Sequence, residues 1–202
     1  MLDPVRFITN ISTGEMGYAI ARAAKKKNLK ITLISGPTVL TPPEGVRFVP
    51  ITTVEELERA IQKHFFKNDF LVMAAAVGDF IPMRQAVKKI PRRRRWTVSF
   101  KESTDLVKKI AKKKGNRVVV GFSLETNDWL ARSRKKLLKK GLDGIVANYY
   151  SRSHNPFGRT AVHAALMDPK RTRVYRLGSK AALARRIVSW LFRLAPGRPP
   201  KN

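Results

Sequence analysis

The feature that most constrains the fold is a regular alternation of short apolar runs with amphipathic helical segments. In the segments between the runs, apolar residues recur every three or four positions, as over residues 54–65. Runs typical of buried strands occupy residues 31–34, 70–76, 117–122 and 143–147. Strands that alternate with helices form parallel sheets, because each helix returns the chain across the sheet. The sequence therefore predicts an α/β protein with a doubly wound, mostly parallel, Rossmann-like sheet.

The pattern changes after residue 148. Residues 159–167 and 171–177 are typical of two strands, and Asp168-Pro169-Lys170 between them predicts a β-hairpin extension. From Ser179 onward, apolar residues fall on one helical stripe and predict a final helix. We expect one domain over residues 1–194, followed by a disordered tail over residues 195–202.

Composition excludes several classes of protein. A chain of 202 residues with 43% hydrophobic content can bury a sizeable core. It has no cysteine, so disulfides and thiolate nucleophiles are excluded, and its three scattered histidines give a histidine metal site or a Ser-His-Asp triad little support. Any metal is expected to be Mg²⁺ held mainly by phosphates and water. No apolar run reaches the roughly 18 residues that cross a bilayer, and there is no signal peptide, so we expect a cytoplasmic protein without membrane association.

The charge is strongly positive. There are 42 Lys and Arg residues against 14 Asp and Glu, a formal net charge of +28. Runs at residues 25–27, 112–114 and 132–140 are typical of solvated helix faces. The run at residues 92–95 instead lies in a predicted loop over residues 80–95, before a short strand expected at residues 96–100. A field this positive also binds nucleic acid without sequence preference, which remains an alternative function.

A polar loop near the N-terminus enters a helix expected over residues 14–27. Ser12, Thr13 and Gly14 lie where the free N–H groups of a helix start gather, and such an end commonly holds a phosphate. Arg6 and Asn10 offer planar donors just upstream. An ordinary loop with a helix cap has the same local pattern.

Several polar or small residues follow the predicted strands. Ligands of open α/β sheets collect at the carboxyl ends of the strands. The residues that fall there are Ala75, Asp79, Phe122 and Asn148. Their common position predicts one shared site.

Five segments, taken in order, resemble phosphopantothenoylcysteine synthetase, the phosphopantothenate–cysteine ligase that forms one domain of the bacterial bifunctional protein of coenzyme A biosynthesis. The resemblance extends from about residue 3 to residue 180. A Rossmann-type oxidoreductase is disfavoured, because no G-x-G-x-x-G follows a strand. The segments are residues 3–17, 70–82, 87–90, 118–127 and 139–148.

The resemblance implies a ligation in two steps. The carboxylate of 4′-phosphopantothenate attacks the α-phosphate of a nucleotide, CTP in preference to ATP, and the amino group of cysteine then attacks the acyl-cytidylate. Mg²⁺ accompanies the nucleotide. The resemblance also implies a homodimer and a separate decarboxylase as partner, because the decarboxylase domain fused to many relatives is missing here.

The resemblance also assigns roles to residues. Asn10 would lie against the acyl intermediate, Lys89 would sit on a flap over the phosphates, and Arg6 would reach the phosphate of the partner subunit's substrate. The pantothenate portion would be held by Ala75, Ala76 and Asp79. The nucleotide would be bound by Ser12, Gly14, Gly17, Asp79, Lys89, Phe122, Lys136, Lys140 and Asn148. For Lys136 and Lys140, a solvated basic helix face explains the pattern equally well.

The chain departs from the family pattern at three places. The flap motif Lys-x-Lys-Lys reads Lys89-Ile90-Pro91-Arg92, and residues 101–105 replace a Val-Lys-Asn-Pro-Asp run. Family members also begin with a strand and a glycine-rich loop before the position of Asp3. That strand would lie inside the sheet and its loop would help to bind phosphate. Hence the alternative expectation is a truncated, inactive ligase-like fold that acts as a basic nucleic-acid-binding module.

Overall fold

The computed structural model describes residues 1–92, 94–151 and 162–195. Within these ranges there are five helices and nine strands. The helices are α1 (Glu15–Lys25), α2 (Val54–Phe65), α3 (Leu106–Ala111), α4 (Trp129–Lys140) and α5 (Lys180–Leu194). The strands are β1 (Thr32–Ser35), β2 (Arg47–Pro50), β3 (Phe70–Met73), β4 (Phe80–Pro82), β5 (Phe100–Glu102), β6 (Val118–Glu125), β7 (Gly144–Tyr149), β8 (Val162–Met167) and β9 (Thr172–Leu177).

The main sheet has five strands in the order β3-β6-β7-β8-β9. Strands β3, β6 and β7 are parallel, with Val72 opposite Val120 and Phe122 opposite Val146. Strands β8 and β9 continue the sheet in antiparallel pairing. The predicted α/β class with a mostly parallel sheet is confirmed.

Helices cover both faces of this sheet, because the strands in its centre alternate apolar side chains between the faces. On β6, Val120 packs with α1 and α5 in one core, which includes Leu183 and Ile187. Its neighbour Val119 packs with α2, α3 and α4 in the other core, which includes Leu137. These five side chains are excluded from water, and each such burial contributes about 1.5–3 kcal/mol.

Helix α2 starts with the capping box that the sequence predicts. The Thr53 hydroxyl accepts from the Glu56 N–H at 3.2 Å, and the Glu56 carboxylate accepts from the Thr53 N–H at 3.1 Å. The N–H groups of Thr52 and then Thr53 lower the pKa of Glu56. The final helix is also confirmed, with Ser179 as its N-cap.

The predicted hairpin is present and forms part of the main sheet. Strand β8 pairs with β7, with Ala165 opposite Ala147, and both residues are buried. Asp168 makes the turn by accepting from the N–H groups of Lys170 and Arg171, both at 2.8 Å. The start expected at residue 159 lies outside the described residues, as does the expected tail beyond Ala195.

Some predicted boundaries are wrong. Residues 96–99 are not in a strand; β5 begins at Phe100 and pairs with β4. Strand β3 ends at Met73, three residues earlier than expected, and β2 and β4 were not predicted. Strands of three or four residues are too short to show a period of two in the sequence.

The predicted single sheet is also divided. Strands β1 and β2 form a separate parallel pair that does not hydrogen-bond to β3. Among the described residues, no helix is long and apolar enough to cross a membrane.

Gly144 tests the packing between the sheet and α5. A Cβ at this position would lie 2.9 Å from Cζ2 of the buried Trp190 and closer still to its Cη2. Gly144→Ala should therefore lower the free energy of unfolding by about 1–3 kcal/mol in urea titrations. The control is Gly36→Ala, where no heavy atom lies within 4 Å of the added carbon. Equal stability of the two variants would contradict this packing.

Candidate active site

The loops that follow β1 and β3 meet at the start of α1. The Thr38 hydroxyl, beyond β1, donates to the carbonyl of Thr13 at 3.0 Å. A Cβ on Gly17 would lie 4.0 Å from Cβ of Ala74, directly beyond β3. Gly14 caps the helix with φ of 73°, a left-handed conformation that glycine adopts without strain. The carboxyl ends of both strands therefore converge on the helix N-terminus.

The N-terminus of α1 has backbone N–H groups that are free to donate to a ligand. The Ser12 hydroxyl accepts from the Gly14 N–H and the Thr13 hydroxyl from the Glu15 N–H, but both contacts are long at 3.4 Å. Within the described residues, the N–H groups of Met16 and Gly17 make no hydrogen bond. Such donors, at the positive end of a helix dipole, can bind an anion.

Asn10 connects the N-terminal loop to the end of β3. Its side-chain amide donates to the carbonyls of Ala76 at 3.2 Å and Val77 at 3.3 Å. These bonds orient the side chain, while its Oδ1 accepts no hydrogen bond from the described residues. The amide is exposed and can accept from a bound group.

A cleft of about 1170 Å³ opens at this place, somewhat larger than the roughly 300–1,000 Å³ typical of ligand pockets. The structure thus brings seven predicted site residues together. Those that line the cleft are Asn10, Ser12, Gly14, Gly17, Ala75, Ala76 and Asp79.

Asp79 is an exposed carboxylate that directly precedes β4. Its backbone carbonyl accepts from the Ser103 N–H at 2.8 Å, and the Ser103 hydroxyl donates to Gly78 at 2.6 Å. Among the described residues no group of three or more acidic, histidine or cysteine side chains could hold a metal. One carboxylate suits Mg²⁺ that is bound chiefly by phosphates and water.

A buried carboxylate ties the loop before α1 to residues 83–92 and 94–99, which we call the flap. Asp3 is fully excluded from solvent. It accepts from the Arg6 guanidinium at 2.9 Å and 2.5 Å and from the Ile90 N–H at 3.2 Å. Arg6 also donates to the Ile90 carbonyl at 2.7 Å and lies 5.0 Å from the centre of the Trp96 ring. We call Asp3, Arg6, Ile90 and Trp96 the latch.

The latch has consequences for two predicted residues. Arg6 was predicted to reach a partner subunit's substrate, and here its guanidinium is bound within its own chain. Lys89 precedes Ile90 and is exposed, so the latch positions its backbone and leaves its ammonium in solvent. The Arg6 guanidinium, followed by backbone N–H donors, holds the pKa of Asp3 well below its ordinary value.

The remaining predicted residues lie away from the cleft. Lys136 is 2.5 Å from Oε1 of the buried Glu125, an ion pair without hydrogen-bond geometry, and Lys140 is 3.0 Å from Asp105. Phe122 packs into the core formed with α1 and α5.

Asn148 pairs with Leu124 near the carboxyl ends of β7 and β6. The sequence reasoning missed Asp3, Trp96 and Glu125. Glu125 could have been found from the sequence, because a carboxylate at the end of an apolar strand indicates a special role.

These features define a class: a Rossmann-like α/β protein with an open helix N-terminus at the carboxyl edge of its sheet. The chain belongs to the family of the DNA/pantothenate metabolism flavoprotein C-terminal domain, whose family model matches residues 1–194. The resemblance found in the sequence is thus confirmed at the level of the family.

Relatives whose names are known are consistent with this family assignment. The chain is 38% identical over 159 residues to the coenzyme A biosynthesis bifunctional protein CoaBC of Bacillus subtilis strain 168, covering 78% of this chain and 39% of that protein. It is 35% identical over 191 residues to CoaBC of Vibrio vulnificus strain YJ016, covering 93% and 48%. The chain therefore spans less than half the length of these relatives.

Solved structures share the fold. The crystal structure of the C-terminal domain of CoaBC superposes with a TM-score of 0.81 at 28% identity, covering 96% of this chain and 88% of that one. The DNA/pantothenate metabolism flavoprotein from Streptococcus pneumoniae has a TM-score of 0.82 at 19% identity, covering 96% and 93%, which shows likeness of fold alone.

Loss of the negative charge of Asp3 should release the flap locally, because this charge binds Arg6 in the latch. Asp3→Asn removes the charge that binds Arg6, so the flap should open and trypsin should cut after Arg92 about tenfold faster. Asp128→Asn, the same change at an exposed carboxylate, is the control and should leave the cleavage rate unchanged. Equal cleavage in all three proteins would show that Asp3 does not hold the flap.

The same latch has a predicted dependence on pH. The folded pKa of Asp3 is depressed, so its stabilisation is full above the ordinary carboxyl range near ~4 and is lost as pH falls through the lower folded value. Trp96 fluorescence, isolated by difference from Trp96→Phe, should stay constant from pH 7 to about 4 and change below. A transition centred at pH 5 or above would contradict this.

Proposed function

We propose that this protein is a ligase that joins 4′-phosphopantothenate to cysteine through an acyl-nucleotide intermediate. The observation that carries the proposal is Asn10, held by the loop that follows β3, beside the open N-terminus of α1, in a chain of this family. The names of the CoaBC relatives support the pathway. The structure named Cab2 mutant H337A complex with phosphopantothenate-cysteine shares the fold, with a TM-score of 0.75 at 16% identity, covering 94% of this chain and 80% of that one.

In the first step, a carboxylate oxygen of phosphopantothenate bonds to the α-phosphorus of the nucleotide, and the bond to pyrophosphate breaks. Negative charge shifts onto the leaving pyrophosphate, so cationic and N–H donors must surround it. The open N–H groups of Met16 and Gly17 and the ammonium of Lys89 are suited to this. The Asp79 carboxylate would help to hold Mg²⁺, which would be bound chiefly by phosphates and water and would neutralise part of the phosphate charge.

In the second step, the amino group of cysteine attacks the acyl carbon. A C–N bond forms, the bond between the acyl carbon and the phosphate oxygen breaks, CMP leaves, and the amine passes its proton to solvent water. Asn10 can accept from the incoming amine through Oδ1 while its NH₂ stays bound to Ala76 and Val77. An uncharged, oriented amide serves this step better than it would neutralise a phosphate.

The other predicted contacts are part of the proposal. Ala75 and Ala76 leave room for the pantothenate chain, and Asp79 can accept from its hydroxyl or amide groups. We assign Ser12, Gly14 and Gly17 to nucleotide phosphate, and Phe122, Lys136, Lys140 and Asn148 to the rest of the nucleotide. The proposal also includes CTP as the nucleotide, a separate decarboxylase partner and a cytoplasmic location. It includes a homodimer as well, in which Arg6 keeps its bonds to Asp3 and Ile90 through Nε and Nη2 and serves the neighbouring substrate through Nη1.

The products test the route. With phosphopantothenate, cysteine, CTP and Mg²⁺, the purified protein should release CMP and pyrophosphate, because the nucleotide is attacked at its α-phosphorus. Chromatography of labelled CTP measures this. CDP with inorganic phosphate as the products would exclude the acyl-nucleotide route.

A second candidate, a nucleic-acid-binding module, is favoured by the net charge of +28. Saturable CTP binding that persists in moderate salt supports the ligase. Affinity for nucleic acid that falls steeply with salt, without CTP turnover, supports the module instead.

Variants at Asn10 and Lys89 should separate the two steps. Asn10→Ala should slow attack by cysteine by about 100-fold, so that acyl-nucleotide accumulates. Lys89→Gln should raise the barrier to activation by about 2–4 kcal/mol, as for other groups that stabilise transition-state charge. Rapid-quench analysis with labelled nucleotide distinguishes the steps.

The matched controls are Asn127→Ala and Lys88→Gln, both at exposed positions outside the cleft. Loss of the same step to the same extent in Asn10→Ala and Lys89→Gln would disprove the assigned roles. Full activity of Lys89→Gln would transfer the flap role to Arg92 or its neighbours.

A further inference from the structure

Three helices end together at the end of the parallel strands that lies opposite the candidate active site. Helix α1 leads into β1, α2 leads into β3 and α3 leads into β6. A helix that precedes a parallel strand returns the chain to the amino end of that strand. We call this end of the protein, formed by residues 25–31, 45–47, 63–70 and 111–118, the amino edge.

Hydrogen bonds join the segments of the amino edge. Lys25, the last residue of α1, donates through Nζ to the carbonyl of Gly45 at 3.2 Å, in the turn before β2. Arg117, directly before β6, donates to the carbonyl of Phe66 beyond α2 at 2.8 Å. The helix ends and strand starts therefore form one surface.

The middle of the amino edge holds three cations close together. Burial is the main cause that lowers the pKa of His64, a residue of α2, and three nearby charges lower it further. These charges belong to Arg47, Lys63 and Lys67. All three side chains are exposed, and within the described residues none of them forms an ion pair with a carboxylate. Unneutralised charges of one sign at one place attract a polyanion.

Stabilisation of the helix dipole does not account for this cluster. A cation in the last turn of a helix is favourable, and the effect falls off beyond that turn. Lys63 lies in the last turn of α2, whereas Arg47 begins a strand and Lys67 lies beyond the helix. The dipole therefore explains one of the three cations.

An exposed aromatic side chain lies beside these cations. Phe66, directly after α2, is 50% exposed, while its neighbour Phe65 is buried. The two ring centres are 5.3 Å apart at an angle of 69°, and the guanidinium of Arg117 is 5.3 Å from the centre of the Phe66 ring. Phe66 is thus held in place while half of its surface stays in water. An aromatic side chain of this kind is suited to stack with a planar base.

This combination favours one class of polyanion. An anionic membrane or an acidic peptide offers charge without a flat ring at each repeat. Duplex DNA has flat rings, but they are stacked inside the helix. Single-stranded nucleic acid presents both a phosphate and an accessible base at each nucleotide.

We propose that the amino edge binds single-stranded nucleic acid, with its three clustered cations on the phosphates and Phe66 stacked on a base. Exposed lysines at residues 26–27 and 112–113 extend the cationic path beyond α1 and α3. Because this surface and Asn10 lie at opposite ends of the strands, binding here leaves the candidate active site open. The proposal is therefore independent of the proposed ligase function, and both activities can reside in one chain.

The test is fluorescence anisotropy with a labelled thymidine oligonucleotide of about 12 residues, titrated at several salt concentrations. The double variant Arg47→Gln/Lys63→Gln loses two phosphate contacts. Its affinity should fall about tenfold, and the slope of log affinity against log salt should decrease in magnitude by about 1.4. The control is Lys88→Gln/Arg185→Gln, which removes two exposed cations away from the amino edge and should leave both values unchanged.

Variants of Phe66 test the stacking separately. Phe66→Leu should weaken binding by about tenfold with an unchanged salt slope, because loss of a stacked base releases no counterion. Phe66→Tyr keeps a ring and should bind as tightly as the unmodified protein. This conservative variant distinguishes loss of stacking from loss of local structure.

Three results would overturn the proposal. Equal weakening in the control pair would show attraction by the net charge alone. Equal affinity for a duplex of the same length would exclude stacking on an accessible base. Vesicles of phosphatidylcholine and phosphatidylserine that bind the unmodified protein but not Phe66→Leu would make a membrane the partner instead. No readout uses CTP or turnover, so failure here is distinguishable from failure of the proposed ligase function.

Discussion

The structure depends on the burial of the centres of β6 and β7 between two layers of helices. Val119, Val120 and Val146 are removed from water because helices from both sides contribute apolar side chains. This central pair aligns the carboxyl ends of the parallel strands along one edge. The candidate site is built at that edge, and α1 brings its open N-terminus there because Ala19, Ile20 and Ala24 anchor it in the core. Packing in the centre thus determines where an anion can bind.

Three of the 14 acidic residues of this basic chain hold structural positions. Asp3 binds Arg6 and Ile90, Glu125 pairs with Arg132 and Lys136, and Asp143 accepts from both Lys114 and the N–H of Val119. The 42 cationic and 14 acidic side chains leave a formal excess of 28 positive charges that the carboxylates do not neutralise. A nucleotide and one phosphorylated substrate carry only a handful of charges. The excess is therefore a property of the surface, and salt should affect this protein more than catalysis alone requires.

The sequence predicted the helices and strands whose hydrophobic pattern is long, and it missed the strands whose pattern is short. The period of α2 and α5 and the apolar runs of β6 and β7 are strong local signals, because they recur over several turns or residues. The four-residue strand β2 and the three-residue strands β4 and β5 have no such length. At the site, the loop before α1 was recognised because glycine and small polar residues at a helix start have a mechanism. The latch was not, because Asp3 and Ile90 are distant in the sequence.

The sequence by itself determined the fold class, the order of helices and strands, and the position of the loop that begins α1. These follow from residue spacing, which is local information. Only the tertiary structure decided which candidates meet: Asn10 with Ala76, Arg6 with Asp3, and Lys136 with Glu125. It also decided that β1 and β3 face each other across a cleft, and no local pattern contains that fact. The physical reason is that ion pairs and strand edges depend on where the packed core places distant segments, whereas helix and strand periods depend on neighbours along the chain.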